Sequence, residues 1–247
     1  MKKKAIIVAS FGTTYHDTLE KTIAPIEQLI SKTYPDAKVL RAFTSRKIKN
    51  ILEKRDNIYV LNEIEALKEL KAEGFLDISV QPLHFLPGIE FSKLTRLEGI
   101  KLGAPLLASD EDFKRVAIGF KDLVTSDKLY ILMGHGTRHK SDDRYDKMEE
   151  AFRNEGLNNI MMATVEGRTE LKDILPKIES YNIKDIVLMP FMLVCGDHAK
   201  NDMAGDDEDS WKNVLKSQGY NVICDMRGLG EFDFIRQIYL DHLKAVE

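Results

Sequence analysis

Short apolar runs alternate with segments of helical spacing along the whole 247-residue chain. The first run, Lys4–Ser10, is rich in β-branched residues and ends at Phe11-Gly12-Thr13, which predicts a buried strand and its loop. Residues 17–32 then place their apolar side chains at helical intervals. The alternation continues to the last residues. It is typical of α/β proteins, in which helices cover both faces of a parallel sheet.

The same pattern predicts eight strands and nine helices. The strands are expected at residues 4–10, 38–43, 76–80, 100–103, 129–133, 160–164, 185–189 and 220–224. The helices are expected at residues 17–32, 46–54, 64–74, 90–98, 110–123, 142–154, 170–179, 210–217 and 232–245. No low-complexity linker interrupts them, and the best boundary lies near residues 125–127. We therefore predict an N-terminal lobe at 1–125 and a C-terminal lobe at 126–247.

The two predicted lobes resemble each other in short motifs. Phe11-Gly12-Thr13 after the first strand matches His135-Gly136-Thr137 after the fifth. Residues 41–45 can be laid on residues 162–166, and residues 77–90 on residues 185–198 without a gap. An internal repeat of this kind predicts two similar Rossmann-like α/β lobes, each with a parallel sheet flanked by helices.

Three equivalent strand ends differ between the lobes in their chemistry. The second lobe carries His135, Glu166 and His198 where the first carries Phe11, Ser45 and Glu90. Because the carboxyl ends of parallel strands meet at one edge of a sheet, we expect the three second-lobe residues to face one crevice. Two imidazoles and a carboxylate suit a divalent transition metal such as Co, Ni, Fe or Zn. Taken singly, each could instead be a hydrogen-bonded turn histidine or a solvated glutamate.

Composition and net charge limit the classes of partner that the protein is expected to bind. The net charge is −4, so general attraction to nucleic acid or to an anionic membrane is not expected. No run approaches the ~18 apolar residues of a membrane helix, and the N-terminal run is too short for a signal peptide. Cys195 and Cys224 form no metal or redox spacing. We expect a cytoplasmic protein with reduced thiols. The oligomeric state stays open, and a homo-oligomer is one alternative.

Other motifs carry less information. The chain lacks GxxxxGK[ST] and GxGxxG, so nucleotide binding is unsupported, and it lacks the GxSxG hydrolase elbow. His84 lies among apolar residues, as a satisfied buried histidine or as a crevice residue aided by Glu90. The acidic run at residues 206–209 could bind a hard cation or favour the N-terminus of the following helix.

Four segments resemble the anaerobic-type cobalt chelatases of the CbiK type, within the class II chelatases. They are residues 8–18, 41–45, 133–136 and 193–204, and the most specific is GDHAKNDM at 196–203. The resemblance covers nearly the whole chain. It implies two similar lobes around a tetrapyrrole cleft and ATP-independent insertion of Co²⁺ into sirohydrochlorin or precorrin-2 for cobalamin synthesis. It implies Co²⁺ as a substrate metal and no nucleotide or organic cofactor.

The resemblance also implies a site. The family's metal ligands fall on His135, Glu166 and His198, and one histidine would accept a proton during insertion. The residues expected to contact the tetrapyrrole are Ser10, Phe11, Gly12, Thr13, Arg41, Arg46, His84 and Glu90. Further cations that could bind its carboxylates are Lys47, Arg138 and Lys200.

Alternatives to a cobalt chelatase remain at this point. One is a non-catalytic tetrapyrrole or metal carrier, and another is a chelatase for iron or nickel, since the same ligands accept all these metals. Cys195 stands where we expect a small residue such as Ala in the family. It either alters the metal preference or is a neutral change in packing.

Overall fold

The structure is a computed structural model, and it describes residues 3–247. Its contacts divide the chain into two compact units. One unit is formed by Met1–Ala108 together with Gly230–Glu247, and the other by Ser109–Leu229. Within residues 3–247, no helix has the length and apolar character needed to cross a membrane.

The first unit contains a parallel sheet of four strands in the order β2-β1-β3-β4. The strands are β1 (Lys4–Ser10), β2 (Lys38–Phe43), β3 (Asp77–Pro82) and β4 (Lys101–Leu102). Its helices are α1 (His16–Thr33), α2 (Arg46–Asp56), α3 (Glu63–Ala72), α4 (Ile89–Leu94) and, from the end of the chain, α9 (Asp233–Lys244). The central strand β1 is buried from Ala5 to Ser10, which explains its continuous apolar run.

Local sequence sets where these helices begin and end. Helix α3 starts at a capping box, in which the Asn62 side chain accepts from the Glu65 N–H and the Glu65 carboxylate accepts from the Asn62 N–H. Helix α2 ends at Asn57, which has the left-handed conformation common at helix C-termini. These two caps bound the short segment that joins α2 to α3.

The second unit repeats the sheet as β6-β5-β7-β8. Its strands are β5 (Leu129–Gly134), β6 (Ile160–Thr164), β7 (Asp185–Pro190) and β8 (Asn221–Cys224). Its α-helices are α5 (Asp110–Phe120), α6 (Asp143–Asn154), α7 (Leu171–Ile178) and α8 (Trp211–Ser217), and a π-helical turn spans Ala199–Met203. The predicted fold class, with two parallel sheets flanked by helices, is therefore confirmed.

Equivalent backbone hydrogen bonds at the strand ends support the internal repeat. The matched bonds run from Ser45 N–H to Phe11 O (3.3 Å) and from Glu166 N–H to His135 O (2.9 Å), then from Leu83 N–H to Ala9 O and from Phe191 N–H to Met133 O (2.7 Å each). The glycines of the paired loops also agree, since Gly12 has φ +97° and Gly136 has φ +81°. The predicted equivalence of His135 with Phe11, and of Glu166 with Ser45, holds in the backbone.

The unit boundaries differ from the predicted division at residues 125/126. Helix α5 belongs with the second unit because it packs on α6, where the rings of Phe120 and Phe152 lie 5.1 Å apart. Helix α9 belongs with the first unit because it packs on α1 and β3. There the buried Tyr239 hydroxyl donates to Leu83 O at 3.2 Å. Apolar spacing indicates which face of a helix is buried but not which sheet covers it.

Candidate functional site

His135 follows β5 and projects from the loop at the carboxyl edge of the second sheet. Its ring is exposed, and its Nδ1 lies 3.0 Å from the Gly136 carbonyl oxygen. A carbonyl oxygen can only accept, so this bond places the proton on Nδ1. The Nε2 lone pair is then free to bind a metal ion.

His198 stands immediately before the π-helical turn Ala199–Met203. Its Nδ1 is 2.7 Å from Asp202 Oδ2, four residues along, and its side chain is 30% exposed. The carboxylate accepts, so here too the proton lies on Nδ1 and Nε2 is free. A carboxylate that holds the Nδ1–H of a histidine is the usual support of a metal-binding imidazole. π-Helical turns are frequent at functional sites.

The two imidazoles lie edge to face beside each other. Their ring centroids are 4.7 Å apart and their planes are nearly perpendicular, at 88°. Within the described residues, neither Nε2 atom has a hydrogen-bond partner. Two neutral imidazoles that leave Nε2 free, each fixed by an oxygen on Nδ1, can together bind one divalent transition metal. The predicted convergence of these two strand ends is therefore present.

Glu166 lies on the neighbouring loop but does not complete a triad. Its N–H donates to His135 O at 2.9 Å, so the two loops run side by side. Its side chain is exposed and has no ion-pair partner among residues 3–247. Across that part of the chain, no three His, Cys, Asp or Glu side chains are grouped closely enough to hold a metal ion. The structure thus brings together two of the three expected ligands and places the third on the adjoining loop.

Asp142, which the sequence did not single out, ties these two loops together. Its carboxylate accepts from the Thr137 N–H at 2.9 Å and from the Arg168 N–H at 2.8 Å. The residue is only 4% exposed. Charge-assisted bonds to backbone N–H groups are strong when they are buried. Asp142 therefore holds the loop that follows His135 at a fixed distance from the loop that follows Glu166.

Small residues allow the loops to approach. A methyl group at Gly136 would overlap the backbone of Gly167, and Gly134 packs directly against the ring of Tyr145. The Tyr145 hydroxyl also accepts from the Gly136 N–H at 3.3 Å. Burial raises the pKa of Tyr145 to about 12, so its hydroxyl stays neutral and supports the loop.

In the first unit, the corresponding edge holds a closed polar cluster. The Thr44 hydroxyl donates to Glu90 Oε2 at 2.8 Å and lies 3.1 Å from His84 Nε2. Because the hydroxyl proton goes to Glu90, His84 must carry its own proton on Nε2. Burial lowers the pKa of His84 to about 4, with the nearby charge of Lys93 acting in the same direction. His84 is therefore a neutral, buried side chain.

The loop after β1 was also predicted to contact the substrate. Phe11 is 49% exposed, although it is a large apolar residue. Gly12 lies against the ring of Phe43, where a Cβ atom would clash. Ser10 is buried, with no hydrogen-bond partner for its hydroxyl among the described residues. Thr13 accepts from the Tyr15 N–H at 3.2 Å. The loop thus presents an exposed aromatic ring above a tightly packed turn.

Two arginines expected to bind the substrate are held in ion pairs. Arg41 binds Glu27 through two bonds of 2.7 and 2.5 Å, and Arg46 binds Glu63 through two bonds of 3.0 and 2.7 Å. Both contacts are bidentate, the strongest geometry for a guanidinium and a carboxylate. These guanidinium groups are already engaged within the first unit.

Two ambiguous features of the sequence have packing or capping contacts. Cys195 is buried in the hydrophobic core of the second unit. The acidic run at residues 206–209 precedes α8, whose first turn is capped by the Ser210 hydroxyl. Lys212 reaches back to Asp206, with its Nζ 3.1 Å from the carboxylate. These contacts favour the packing interpretation of Cys195 and a role for the acidic run at the start of α8.

Known proteins resemble this chain over its whole length. The model of the family described as cobalt chelatase (CbiK) matches residues 4–247. The sirohydrochlorin cobaltochelatase of Salmonella typhimurium is 36% identical, over 98% of this chain and 95% of its own. The sirohydrochlorin cobaltochelatase CbiKC of Nitratidesulfovibrio vulgaris is 32% identical, over 99% of this chain and 91% of its own.

Solved structures agree on the fold. SirB from Bacillus subtilis, solved with Fe³⁺, is 15% identical with a TM-score of 0.69 and covers 99% of this chain and 95% of its own. CbiX from denitrifying bacteria is also 15% identical, with a TM-score of 0.52 over 99% of this chain and 100% of its own. The resemblance inferred from the sequence is confirmed, and the chain belongs to the CbiK cobalt chelatase family.

Proposed function

We propose that this protein inserts Co²⁺ into sirohydrochlorin, in the cytoplasm, without ATP or an organic cofactor. Family membership supports a chelatase, and the names of the two curated relatives support this metal and this tetrapyrrole. The observation that carries the proposal is the adjacent pair His135 and His198, with both Nε2 atoms free and the ring centroids 4.7 Å apart. Such a pair can take a hydrated ion from water and still leave coordination positions open.

The metal in this reaction is a substrate, so its ligands must bind it and then release it. His135 and His198 would each offer a neutral Nε2, and Glu166 would add a carboxylate when its side chain turns toward them. One carboxylate leaves the bound Co²⁺ with a net positive charge, which favours transfer to the pyrrole nitrogens. A small ligand set also leaves sites on the ion where those nitrogens can attach before the imidazoles depart.

Insertion also releases two pyrrole N–H protons. A histidine that has just lost the metal has a free basic nitrogen, and an imidazole is well suited to accept a proton near neutral pH. We assign this role to His135 and firmer metal binding to His198, because the Asp202 carboxylate accepts from Nδ1–H of His198, which fixes the ring and makes its Nε2 a stronger ligand. Protonation of either ring competes with the metal, so Co²⁺ binding should weaken in mild acid.

The test mixes the purified protein with sirohydrochlorin and Co²⁺ and follows the absorption change of metal insertion. We expect a rate well above that of the uncatalysed reaction. Tight tetrapyrrole binding without acceleration would indicate a carrier instead. Parallel assays with Fe²⁺ and Ni²⁺ decide the metal, because affinity alone follows the Irving–Williams order rather than biological use. A faster insertion of Fe²⁺ or Ni²⁺ than of Co²⁺ would overturn the assignment of the metal.

A further inference from the structure

A groove in the first unit lies beside helices α3 and α4 and has a volume of ≈ 530 Å³. Small-molecule sites typically have volumes of about 300–1,000 Å³. Its apolar floor is formed by Ile64, Leu67 and Leu97. Ile64 is 46% exposed, which is unusual for a large aliphatic side chain on a helix. The groove therefore offers apolar surface that no other part of the first unit covers.

The rim of this groove is strongly cationic. Its charged lining consists of Arg46, Lys68, Lys71, Lys93 and Arg96, opposed by Glu63 and Glu98. The chain as a whole has a net charge of −4, so this excess of positive charge is local. A concentration of one sign of charge beside apolar surface favours a ligand of opposite sign.

Ion pairs neutralise only part of the rim. Arg46 is bound by the buried carboxylate of Glu63, and Lys93 is bound by Glu90 at 2.7 Å. Lys71 donates to the backbone oxygen of Glu98, which carries no charge. Lys68 and Arg96 have no ion pair among residues 3–247. Unlike Lys71, they also lack a side-chain hydrogen bond within the described residues, so both are available to a ligand.

We propose that this groove binds the carboxylate side chains of the tetrapyrrole, a proposal that rests on the proposed function. The ligand that fits is a flat apolar ring edge bearing several carboxylates: the floor takes the ring edge, and Lys68 and Arg96 take the anions. Arg96 can bind a carboxylate through two parallel bonds, whereas Lys68 acts as a point charge. A folded acidic partner fits less well, since stable protein interfaces need far more surface than this groove provides.

Lys93 connects the groove to the polar cluster at the sheet edge of the same unit. Its Nζ donates to Glu90 Oε2 at 2.8 Å and to Thr44 O at 3.1 Å. Thr44 in turn contacts His84. A ligand in the groove would therefore lie next to a lysine that is hydrogen-bonded to Glu90. The cations of the groove extend the set of residues predicted to contact the substrate rather than forming an unrelated site.

The test compares wild type with the double variant Lys68→Gln/Arg96→Gln. Metal-free sirohydrochlorin is titrated into each protein at two salt concentrations, and Kd is measured from the absorption change. We expect Kd to rise about 10-fold in the double variant, with a weaker dependence on salt, because two exposed charge contacts are removed. In the insertion assay KM should rise by a similar factor while kcat stays unchanged.

Lys54→Gln is the matched control, because Lys54 is an exposed cation near the end of α2 that does not line the groove. Its Kd should equal that of wild type, as should the Co²⁺ affinity of all three proteins. An unchanged tetrapyrrole Kd in the double variant overturns the groove proposal and leaves the groove to an acidic protein surface. Wild type that binds sirohydrochlorin but does not insert Co²⁺ instead overturns the proposed function and leaves the binding result intact.

Discussion

The two sheet edges share their backbone design but use histidine in opposite ways. In the second unit, His135 and His198 carry their protons on Nδ1, bonded to Gly136 O and Asp202, and present a free Nε2. In the first unit, His84 carries its proton on Nε2, which it gives to the buried Thr44 hydroxyl. The same turn geometry therefore yields two ligand-ready imidazoles on one edge and a closed hydrogen-bonded cluster on the other.

The neighbouring residues explain this difference. At the positions equivalent to Thr44 and His84, the second unit has Val165 and Met192. These apolar side chains cannot hold the His198 ring by a hydrogen bond. The ring is held instead by Asp202, which lies in the π-helical turn that follows His198. A duplicated fold keeps its strand ends and loops in register, whereas the choice of hydrogen-bond partner decides which edge can bind a metal.

The largest effect on this difference between the two edges is expected when either of the two free imidazoles is removed. His135→Ala and His198→Ala should each lower the rate of Co²⁺ insertion by more than about 100-fold, because one imidazole cannot hold the ion in place. The absorption assay measures the rate, and circular dichroism checks that the fold is kept. His16→Ala is a suitable control, since His16 is exposed and pairs with Asp56. Near-normal insertion in either site variant would remove that residue from the mechanism.

A second variant tests whether the loops of the proposed metal site depend on the buried carboxylate of Asp142. Asp142→Asn replaces one carboxylate oxygen by an NH₂ group, which cannot accept from the Thr137 or Arg168 N–H. We expect Co²⁺ affinity, measured by calorimetry, to fall about 10- to 100-fold.

Asp146→Asn provides the matched control for this variant. Asp146 lies in the first turn of α6, which begins directly after Asp142, and it also contacts Arg168 through a bond of 2.8 Å from Nη2, but its side chain is exposed. Its loss should change metal affinity little, because exposed ion pairs contribute little. Equal losses of affinity in the two variants would show that Asp142 has no special role in holding the loops.

The buried His84 at the sheet edge of the first unit should make the stability of the protein depend on pH. The pKa of folded His84 is about 4, against an ordinary value of 6.5. As the pH falls below 6.5, His84 binds a proton in the unfolded chain but stays neutral in the folded chain until the pH approaches 4. Stability is therefore lost on going down toward pH 4, by about 3 kcal/mol at most.

His84→Gln removes this titration while keeping a donor near Thr44. The difference in unfolding free energy between pH 7 and pH 4.5, measured with urea, should be about 2–3 kcal/mol smaller in the variant than in wild type. Other titrating groups are common to both proteins and cancel in the difference. An identical pH dependence in the two proteins would contradict a buried neutral His84.

The smallest effect is expected at Cys195, which lies close to His198 in sequence but points into the core of the second unit. Cys195→Ala should lower stability by about 1 kcal/mol and leave the relative insertion rates of Co²⁺, Fe²⁺ and Ni²⁺ unchanged. Insertion assays with the three metals check this. A large change in metal preference would mean that the thiol reaches the metal.

Much of the fold was predictable because buried parallel strands are continuous apolar runs, and Lys4–Ser10 is a clear example. The convergence of His135 and His198 was predictable because strand ends meet at one edge. The role of Asp142 was not, since its shortest hydrogen bonds are to backbone N–H groups, which carry no residue-type signal. The pairing of Arg41 in β2 with Glu27 in α1 joins two different elements, which the spacing of residues within one element cannot reveal.

Asp202 was predictable only in part. It is four residues beyond His198, inside the most specific segment of the sequence, so its proximity could have been read from helical spacing. Its role could not, because it depends on the π-helical backbone that directs the carboxylate toward Nδ1.

The packing of α9 in the first unit affects the order in which the two units can fold during synthesis. Residues Gly230–Glu247 are synthesised after the whole second unit, yet Tyr239 and Leu243 are fully buried in the first unit. The second unit is a continuous segment, Ser109–Leu229, so all its residues are synthesised before α9. It can therefore complete its contacts while the first unit still lacks α9. Domains usually fold in the order of synthesis. Here the first unit starts before the second and is completed only after it.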